Sequence, residues 1–486
     1  MLQATARGWW RDAFASSPVA RRWLLLLFVA INAVVGWNAV RHHPRVGYDT
    51  GQHLKYVDVL AKGRLPRRAE TAAYYAPPLP YVAPSLARGI ARASLATAGK
   101  VAQIFQVGLS LALTLGLLIA CQHLRAGDGA FKLAVLGLCG MPAVYYRTFA
   151  MLRGEVYLAT LGVLAVAVVL GAIARGTIDH RRSLVLGLLG AGIALSRQLG
   201  LVLLVGLGVF FVIASLRGQR RYLAGAAAAG LLAAVAAGWF YLGLRAREGA
   251  MLSWNLPRVA FSLANQPTEF YAGTGDGELF TAPGRPRFQK QFAPVLFADW
   301  WGDYWHYFLF RGRRASGACV PWPAPPAPNA PAVPDSDFSG NYASMLAYLG
   351  WVNRVALVPT AVLLAGLVVG ARELQRFAVR GRMDAHTQGV ALVFLLAAST
   401  LIGYLWFVIS YPRADDGDTV KATYVFQIVP LLALLGGEAL VRLRSLARAA
   451  FAVSCALLVA VGLFVAPAAV TRWGTPLDCR LPGYKQ

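Results

Sequence analysis

Charged residues are scarce in this chain of 486 residues: only 14% are Asp, Glu, Lys or Arg, whereas 57% are hydrophobic. A soluble domain carries about 25% charged residues, so this composition excludes an ordinary soluble protein. The sequence also lacks a glycine-rich phosphate-binding loop after a strand, which argues against nucleotide hydrolysis and against a nucleotide-sugar donor. Five cysteines are present, but no Cys/His set has the spacing of a metal site. We therefore expect no zinc centre.

Long apolar runs are abundant instead. A transmembrane helix needs about 20 apolar residues to cross about 30 Å of hydrocarbon. Runs of this kind, two of them short, occupy residues 23–40, 101–124, 131–146, 155–174, 183–196, 199–216, 222–244, 351–370, 390–410, 422–440 and 449–470. The first run is too long for a removed signal peptide and lacks the small-residue cleavage pattern. The sequence therefore predicts an all-α polytopic membrane protein with about eleven spans.

Basic residues determine the predicted orientation. Arginines gather in the amino-terminal segment and in alternate loops, near residues 175–182, 217–221, 372–382 and 442–448. Cytoplasmic loops of membrane proteins carry an excess of Lys and Arg. The net charge of +25 reflects this distribution, so it does not indicate a nucleic-acid partner. We expect a plasma (inner) membrane protein with a cytoplasmic amino terminus and an extracytoplasmic carboxyl terminus.

This topology divides the chain into three parts. Residues 1–244 form an amino-terminal membrane module with a first outer loop, 41–100. Residues 245–350 form a second, partly irregular outer loop, in which the aromatic cluster FADWWGDYWHYF (297–308) is expected to lie at the membrane surface and the proline-rich stretch 320–334 to be extended. Residues 351–486 form the remaining helices and an outer tail. Cys319 and Cys479 are the two cysteines on the oxidising side, which predicts a disulfide between them.

The first outer loop has an unusual charge. Residues 41–100 contain ten basic residues and three acidic ones, although the topology places the loop outside. One explanation is an anionic ligand at the outer leaflet. The other is that long loops are translocated regardless of charge.

The stretch GYDTGQHLKYVDVLAKGRLP (47–66) predicts a short helix within this loop. Leu54, Val57 and Leu60 recur at helical spacing, which favours a helix over 50–62 that lies in the membrane interface with its apolar face down. His53, Tyr56 and Asp58 fall elsewhere on the helical wheel. Asp49 lies at the amino-terminal edge, where it is either a functional carboxylate or only a helix cap.

Further charges fall at the predicted outer ends of spans. The segment RTFAMLRGE (147–155) contains Arg147, Arg153 and Glu155. The segment SRQLG (196–200) contains Arg197, and the segment DGDTVKATYVFQIVP (416–430) contains Lys421 and Tyr424. Charges near hydrocarbon are expensive and usually mark a pathway or a site. Each alone could be a snorkelling or headgroup residue, but together they indicate one outer-leaflet site.

These motifs resemble the GT-C superfamily of membrane glycosyltransferases, and within it the branch of protein O-mannosyltransferases and lipid A aminoarabinose transferases. The resemblance rests on an Asp after GY in the first outer loop, on HLKYVDVLAKGRLP and PPLPYVAPSL, on an acid that opens the fourth span, and on KATYVFQIVPLLALLGG near the end. It covers the order of spans along most of the chain. The first loop departs from the pattern because one acid, not two, follows Tyr48, and no large soluble domain follows the last span.

The resemblance implies a GT-C-like bundle that transfers a sugar from a polyprenyl-phosphate donor to a glycan, lipid or protein hydroxyl at the extracytoplasmic face. A catalytic carboxylate would take the acceptor proton, and Asp49 is our candidate. Arg153, Arg197 and Lys421 would stabilise the leaving phosphate. Glu155 would orient the acceptor or share a divalent metal ion with Asp49. The remaining candidate substrate contacts are His53, Tyr56, Asp58 and Tyr424.

Two other functions remain open at this stage. A lipid transporter or flippase would also need outer cations, but it should show charged or interrupted helices at mid-membrane depth. Spans such as GVLAVAVVLG contain no charge, which disfavours that reading. A scaffold subunit of an envelope complex is compatible with the sequence.

Overall fold

The computed structural model describes residues 8, 10–309, 342–381, 383–413 and 417–472. Within these ranges the chain is helical and contains no strand, which confirms the all-α prediction. Cys319, Cys479 and the proline-rich stretch 320–334 lie outside the described residues, so the disulfide stays a prediction.

The helices follow the predicted runs closely. Their bounds are α1 Pro18–Arg41, α2 Thr50–Leu60, α3 Leu79–Gly89, α4 Leu95–Leu124, α5 Gly129–Gly140, α6 Ala143–Ala150, α7 Gly154–Arg175, α8 His180–Ser196, α9 Gly200–Leu216, α10 Arg221–Glu248, α11 Thr268–Ala272, α12 Phe292–Trp301, α13 Tyr342–Val355, α14 Leu357–Ala378, α15 Ala385–Ser410, α16 Ile428–Leu446 and α17 Arg448–Val465.

Seven helical segments of the described chain are long and apolar enough to cross a membrane, or eight if α5 and α6 form one span bent by 61°. The chain is therefore a polytopic membrane protein. The predicted count was about eleven because α8, α9 and α16 also coincide with apolar runs. However, α8 and α9 have only 17 residues each, or about 26 Å of helix, and α16 contains Glu438, Arg442 and Arg444.

One hydrophobic core runs through the amino-terminal and carboxy-terminal helices. Helix α7 is the most enclosed of the candidate spans, because 83% of its most apolar 18-residue stretch is buried. It packs against α4 and α8. Only 17% of the most apolar 18-residue stretch is buried in α10 and in the segment that contains α17. These helices therefore leave most of their apolar surface for lipid. This arrangement keeps the amino-terminal end of α7, with Glu155, inside the protein.

The first outer loop folds as two helices, α2 and α3, that cover the end of α4. Helix α3 begins directly after Pro77 and Pro78, and the Tyr56 and Tyr81 rings stack between α2 and α3 with their centroids 4.0 Å apart. The apolar face of α2 does not lie on the bilayer as expected: Leu54 and Val57 pack in a protein cluster with Ala98 and Ala102 of α4. The helix was predicted correctly, and its packing partner was not.

The aromatic cluster 297–308 is a part of the interior. Trp301, Tyr304 and Trp305 are all at most 3% exposed, and they pack in the main hydrophobic core. The prediction that this cluster anchors the protein at the membrane surface is therefore wrong. Buried aromatic rings contribute a large apolar area to a core, and here they hold the second outer loop against the first.

Candidate functional site

A tight turn after α1 presents the Asp49 carboxylate. Gly47 has φ 142°, and a Cβ atom there would lie 2.7 Å from Thr50 Oγ1 and 2.9 Å from Met151 Sδ. Asp49 itself has φ 53° and ψ 20°, in the left-handed region that few residues other than glycine adopt. It precedes α2, but its side chain makes no capping hydrogen bond. The helix-cap explanation of Asp49 is therefore ruled out.

The Asp49 side chain faces a cavity and stays accessible to solvent, although protein surrounds it on most sides. Arg153, Arg197 and Tyr424 line the same cavity. In the described part of the chain, no basic side chain forms an ion pair with Asp49. Burial would raise the pKa of Asp49, but the charges of Lys421, Arg153 and Arg197 outweigh it and lower the pKa. Asp49 is thus ionised and forms no ion pair with the described basic side chains.

Glu155 holds two arginines in the cavity wall. Arg153 Nη2 donates to Glu155 Oε1 over 2.9 Å and Arg153 Nε donates to Oε2 over 3.2 Å, while Arg197 Nη2 lies 2.7 Å from Oε1. All three side chains are nearly inaccessible to solvent. Two guanidinium groups thus share one carboxylate, so these three side chains together carry one net positive charge.

His53 is a neutral acceptor in this cluster. Arg153 Nη1 contacts His53 Nε2 over 3.4 Å, and His53 Nδ1 lies 2.7 Å from the Tyr81 hydroxyl. A guanidinium only donates, so Nε2 accepts and the ring proton is assigned to Nδ1. Burial, and then the charges of Arg153 and Arg197, lower the pKa of His53 to about 3. The ring therefore positions Arg153 and has no free lone pair with which to act as a base.

Lys421 and Tyr424 close the cluster from the carboxy-terminal half of the chain. Lys421 Nζ pairs with Asp418 Oδ1 at 3.0 Å. The Tyr424 ring lies between three cations, with its centroid 5.4 Å from Arg153, 5.5 Å from Arg197 and 5.5 Å from Lys421. Burial would lower the pKa of Lys421, but Asp418 and Asp49 contribute to raising it well above its usual value. Three fixed positive charges therefore surround one aromatic face beside Asp49.

Sequence reasoning missed the acids that hold this cluster together. Arg147 Nη2 lies 2.9 Å from Asp299 Oδ1 and Arg147 Nη1 lies 3.7 Å from Asp303 Oδ1, with all three side chains buried. Asp299 Oδ2 also accepts from the Ala422 backbone N–H over 2.7 Å. Burial raises the pKa of Asp299 and of Asp303, and Arg147 opposes it. The available signal was two acids inside the aromatic stretch DWWGD, where charges are costly.

Two predicted contacts lie outside the cluster. The Tyr56 hydroxyl donates to the Ala76 carbonyl over 2.9 Å, and its ring is stacked under Tyr81, so it serves the packing of the loop. Asp58 pairs with Arg88 Nε at 2.9 Å and with Lys62 Nζ at 3.1 Å. It lies on α2 about 13 Å along the helix axis from Asp49. The structure brings together Asp49, His53, Arg153, Glu155, Arg197, Lys421 and Tyr424, but neither Tyr56 nor Asp58.

The residues do not fit a divalent ion shared by Asp49 and Glu155. Both Glu155 oxygens already accept from guanidinium N–H groups, so arginine cations stand where the ion would bind. Across the described ranges, no group of three His, Cys, Asp or Glu side chains is arranged to hold a metal. Hard divalent cations need several oxygen ligands, which this cluster does not supply.

Comparison with known proteins gives little further evidence about the chemistry of this site. The chain matches no protein-family model and no curated protein sequence. Among solved structures, it is similar to ArnT from Cupriavidus metallidurans, crystallised with undecaprenyl phosphate bound. The match covers 86% of this chain and 78% of that one, at 15% sequence identity and a TM-score of 0.35. The chemistry of the site therefore rests on its own residues.

Proposed function

We propose that this protein is a GT-C-type membrane glycosyltransferase that moves a sugar from a polyprenyl-phosphate donor to an acceptor hydroxyl. The observation that carries the proposal is that Asp49, an accessible carboxylate without an ion pair, shares one cavity with the cations of Arg153 and Arg197, while Lys421 lies over the ring of Tyr424, which lines the same cavity. Such a transfer needs a base for the acceptor hydroxyl and an anion site for the leaving phosphate.

Asp49 acts on the acceptor. Its carboxylate takes the proton of the acceptor hydroxyl as that oxygen bonds to the anomeric carbon of the sugar. The bond between the anomeric carbon and the phosphate oxygen breaks, and its electron pair leaves with the polyprenyl phosphate. Attack from the face opposite the phosphate inverts the anomeric configuration. Since the Asp49 pKa is lowered, the group is ionised and ready to accept the proton at neutral pH.

The cations act on the leaving group. Negative charge grows on the phosphate as the sugar departs, and positive groups fixed in a water-poor site stabilise it without reorganisation. Glu155 and His53 hold Arg153 in place, and Asp418 holds Lys421. Glu155 therefore has a positioning role in this mechanism. The fixed cations do the work that a divalent metal ion would otherwise do.

The location of the site follows from the charge pattern of the loops. The arginine-rich loops face the cytoplasm under the positive-inside rule, which places the first outer loop and its cavity at the extracytoplasmic face of the inner membrane. A polyprenyl chain then reaches the cavity sideways from the bilayer. Glycans, lipids and proteins of the cell envelope are the acceptors available on that side.

The experiment that tests this function uses the purified protein in lipid nanodiscs with a radiolabelled polyprenyl-phosphate sugar. We expect release of free polyprenyl phosphate that depends on an added extract of envelope glycolipids, and release that is slower by about 100-fold or more from the Asp49→Asn variant. Release by both proteins alike would contradict the role of Asp49. In proteoliposomes, movement of unaltered donor across the sealed bilayer, without release, would instead establish a transporter.

A further inference from the structure

A second recess adjoins the cavity that contains Asp49. It is lined by the first outer loop, including Lys55, Arg68 and Tyr74, and it shares Gln52, Ala72 and Asn255 with the Asp49 cavity. The two spaces are therefore neighbours across a common wall. Lys55, Arg68 and Asn255 are exposed, so the recess opens to the solvent.

The recess carries uncompensated positive charge. Its one acid, Glu70, is already held by Arg64, with Arg64 Nη1 donating over 2.8 Å and Nη2 over 2.5 Å. The hydrogen bonds from Arg64, and next the Arg67 backbone N–H, lower the pKa of Glu70 to about 2. In the portion of the chain that the structure describes, neither Lys55 nor Arg68 forms an ion pair. Both cations are thus available to an anion.

The shape of the recess is fixed by internal bonds. Gln52 Oε1 accepts from the Ala72 backbone N–H over 3.0 Å and from Thr71 Oγ1 over 3.1 Å. The Tyr74 hydroxyl bonds to the Trp254 carbonyl over 3.1 Å, and the Arg68 guanidinium lies over the Tyr74 ring at 5.4 Å. The cations therefore project from an ordered wall, which lowers the entropic cost of binding.

We infer that this recess binds the acceptor through an anionic group, so that the acceptor is a phosphate-bearing carbohydrate. The inference rests on the proposed function, because it takes Asp49 as the base. Lys55 lies six residues after Asp49, about 9 Å along the α2 axis. An acceptor held at Lys55 and Arg68 by its phosphate can thus extend past the shared residues Gln52, Ala72 and Asn255 and present a hydroxyl to Asp49. The donor phosphate occupies the other side, at Arg197 and Lys421.

The test is the binding of glucose 1-phosphate and of uncharged glucose, measured by titration calorimetry on the full chain in phosphatidylcholine nanodiscs. We compare the natural protein, a Lys55→Gln/Arg68→Gln double variant and an Arg67→Gln control, which removes a neighbouring exposed charge that does not line the recess. We expect glucose 1-phosphate to bind at least about tenfold more tightly than glucose. The double variant should lose that preference and the control should keep it.

Equal loss in the control and the double variant, or no loss in either, would overturn the assignment. Nanodiscs that contain phosphatidylglycerol separate a soluble acceptor from a lipid headgroup. If this lipid abolishes glucose 1-phosphate binding, the recess is a headgroup site and the acceptor assignment fails. Transfer without a role for Lys55 and Arg68 would refute only this inference, whereas charge-dependent binding without transfer would refute the proposed function.

Discussion

The Tyr48 hydroxyl donates a hydrogen bond to Asp299 Oδ1 over 3.0 Å, across 251 residues of sequence. This bond ties the turn that presents Asp49 to the second outer loop. Asp299 at the same time accepts from the Ala422 N–H, beside Lys421, and pairs with Arg147. One buried carboxylate thus sets the relative positions of Asp49, the proposed base, and Lys421, a proposed phosphate-binding cation.

Replacing Asp299 should therefore disrupt both folding and the site. Asp299→Asn removes the nearer of the two carboxylates that pair with Arg147, and loss of one partner from a buried ion pair costs about 3–5 kcal/mol. Tyr48→Phe removes one hydrogen bond to this carboxylate and should cost about 1.5–3 kcal/mol. Thermal unfolding in detergent, followed by tryptophan fluorescence, measures both. A milder effect for Asp299→Asn than for Tyr48→Phe would contradict this account.

Asp49→Asn should lower the transfer rate by about 100-fold or more, because proton transfer to a positioned base contributes about 10²- to 10⁴-fold. Asp58→Asn is the matched control: it changes the same residue type on the neighbouring α2, but its ion pairs with Arg88 and Lys62 are at the surface. Surface pairs contribute at most about 1 kcal/mol. We expect Asp58→Asn to retain nearly full turnover, and comparable losses in the two variants would refute the assignment of Asp49.

Lys421→Met should weaken the use of the donor much more than the use of the acceptor. A charge-assisted contact to phosphate contributes about 1.5–3 kcal/mol, which is about one to two orders of magnitude in affinity. Steady-state kinetics with each substrate varied in turn separate the two Michaelis constants. Lys62→Met, which removes an exposed lysine from the first outer loop, serves as the control. An unchanged donor constant in Lys421→Met would place the phosphate elsewhere.

The pH dependence of transfer tests Asp49 as the base against a histidine of ordinary pKa. The lowered Asp49 pKa means that the carboxylate stays ionised as the pH falls to the usual Asp value of about 3.9. His53, with a pKa of about 3, stays neutral over the same range. We expect kcat/KM to have no acid limb between about pH 5 and pH 8, in brief assays on protein kept at neutral pH. An inflection near the usual histidine value of about 6.5 would instead indicate a histidine base.

Most of the helices could be predicted from the sequence, because an apolar run of span length has few alternatives in a bilayer. How far each helix extends across the bilayer could not be predicted. Runs 183–196 and 199–216 are apolar, but each helix has only 17 residues, and periodicity does not state how far a short helix extends across the bilayer. The aromatic cluster was misplaced for a related reason: composition alone does not distinguish rings that face headgroups from rings that fill a core.

The site was predictable in part. Asp49, Arg153, Glu155, Arg197 and Lys421 were found because charges at the ends of apolar runs stand out. The role of Asp299 could not be predicted. Its partners Tyr48, Arg147 and Ala422 lie in or beside the first, third and tenth predicted runs, and such long-range pairing leaves no periodic signal in the sequence. Asp58 was included because a helical wheel groups residues by direction and ignores the pairing of Asp58 with Arg88 of α3.

Position 49 has two separate requirements: its backbone must adopt the left-handed conformation, and its side chain must carry a carboxylate. Among residues with a side chain, Asp and Asn adopt this conformation most readily, and for most others it costs about 1–2 kcal/mol. An evolving sequence can therefore exchange Asp for Asn here without disturbing the turn, whereas the longer acid Glu would preserve the charge and strain the backbone. In descendants of this protein, Asn at position 49 would mark a lineage that kept the fold and lost the chemistry.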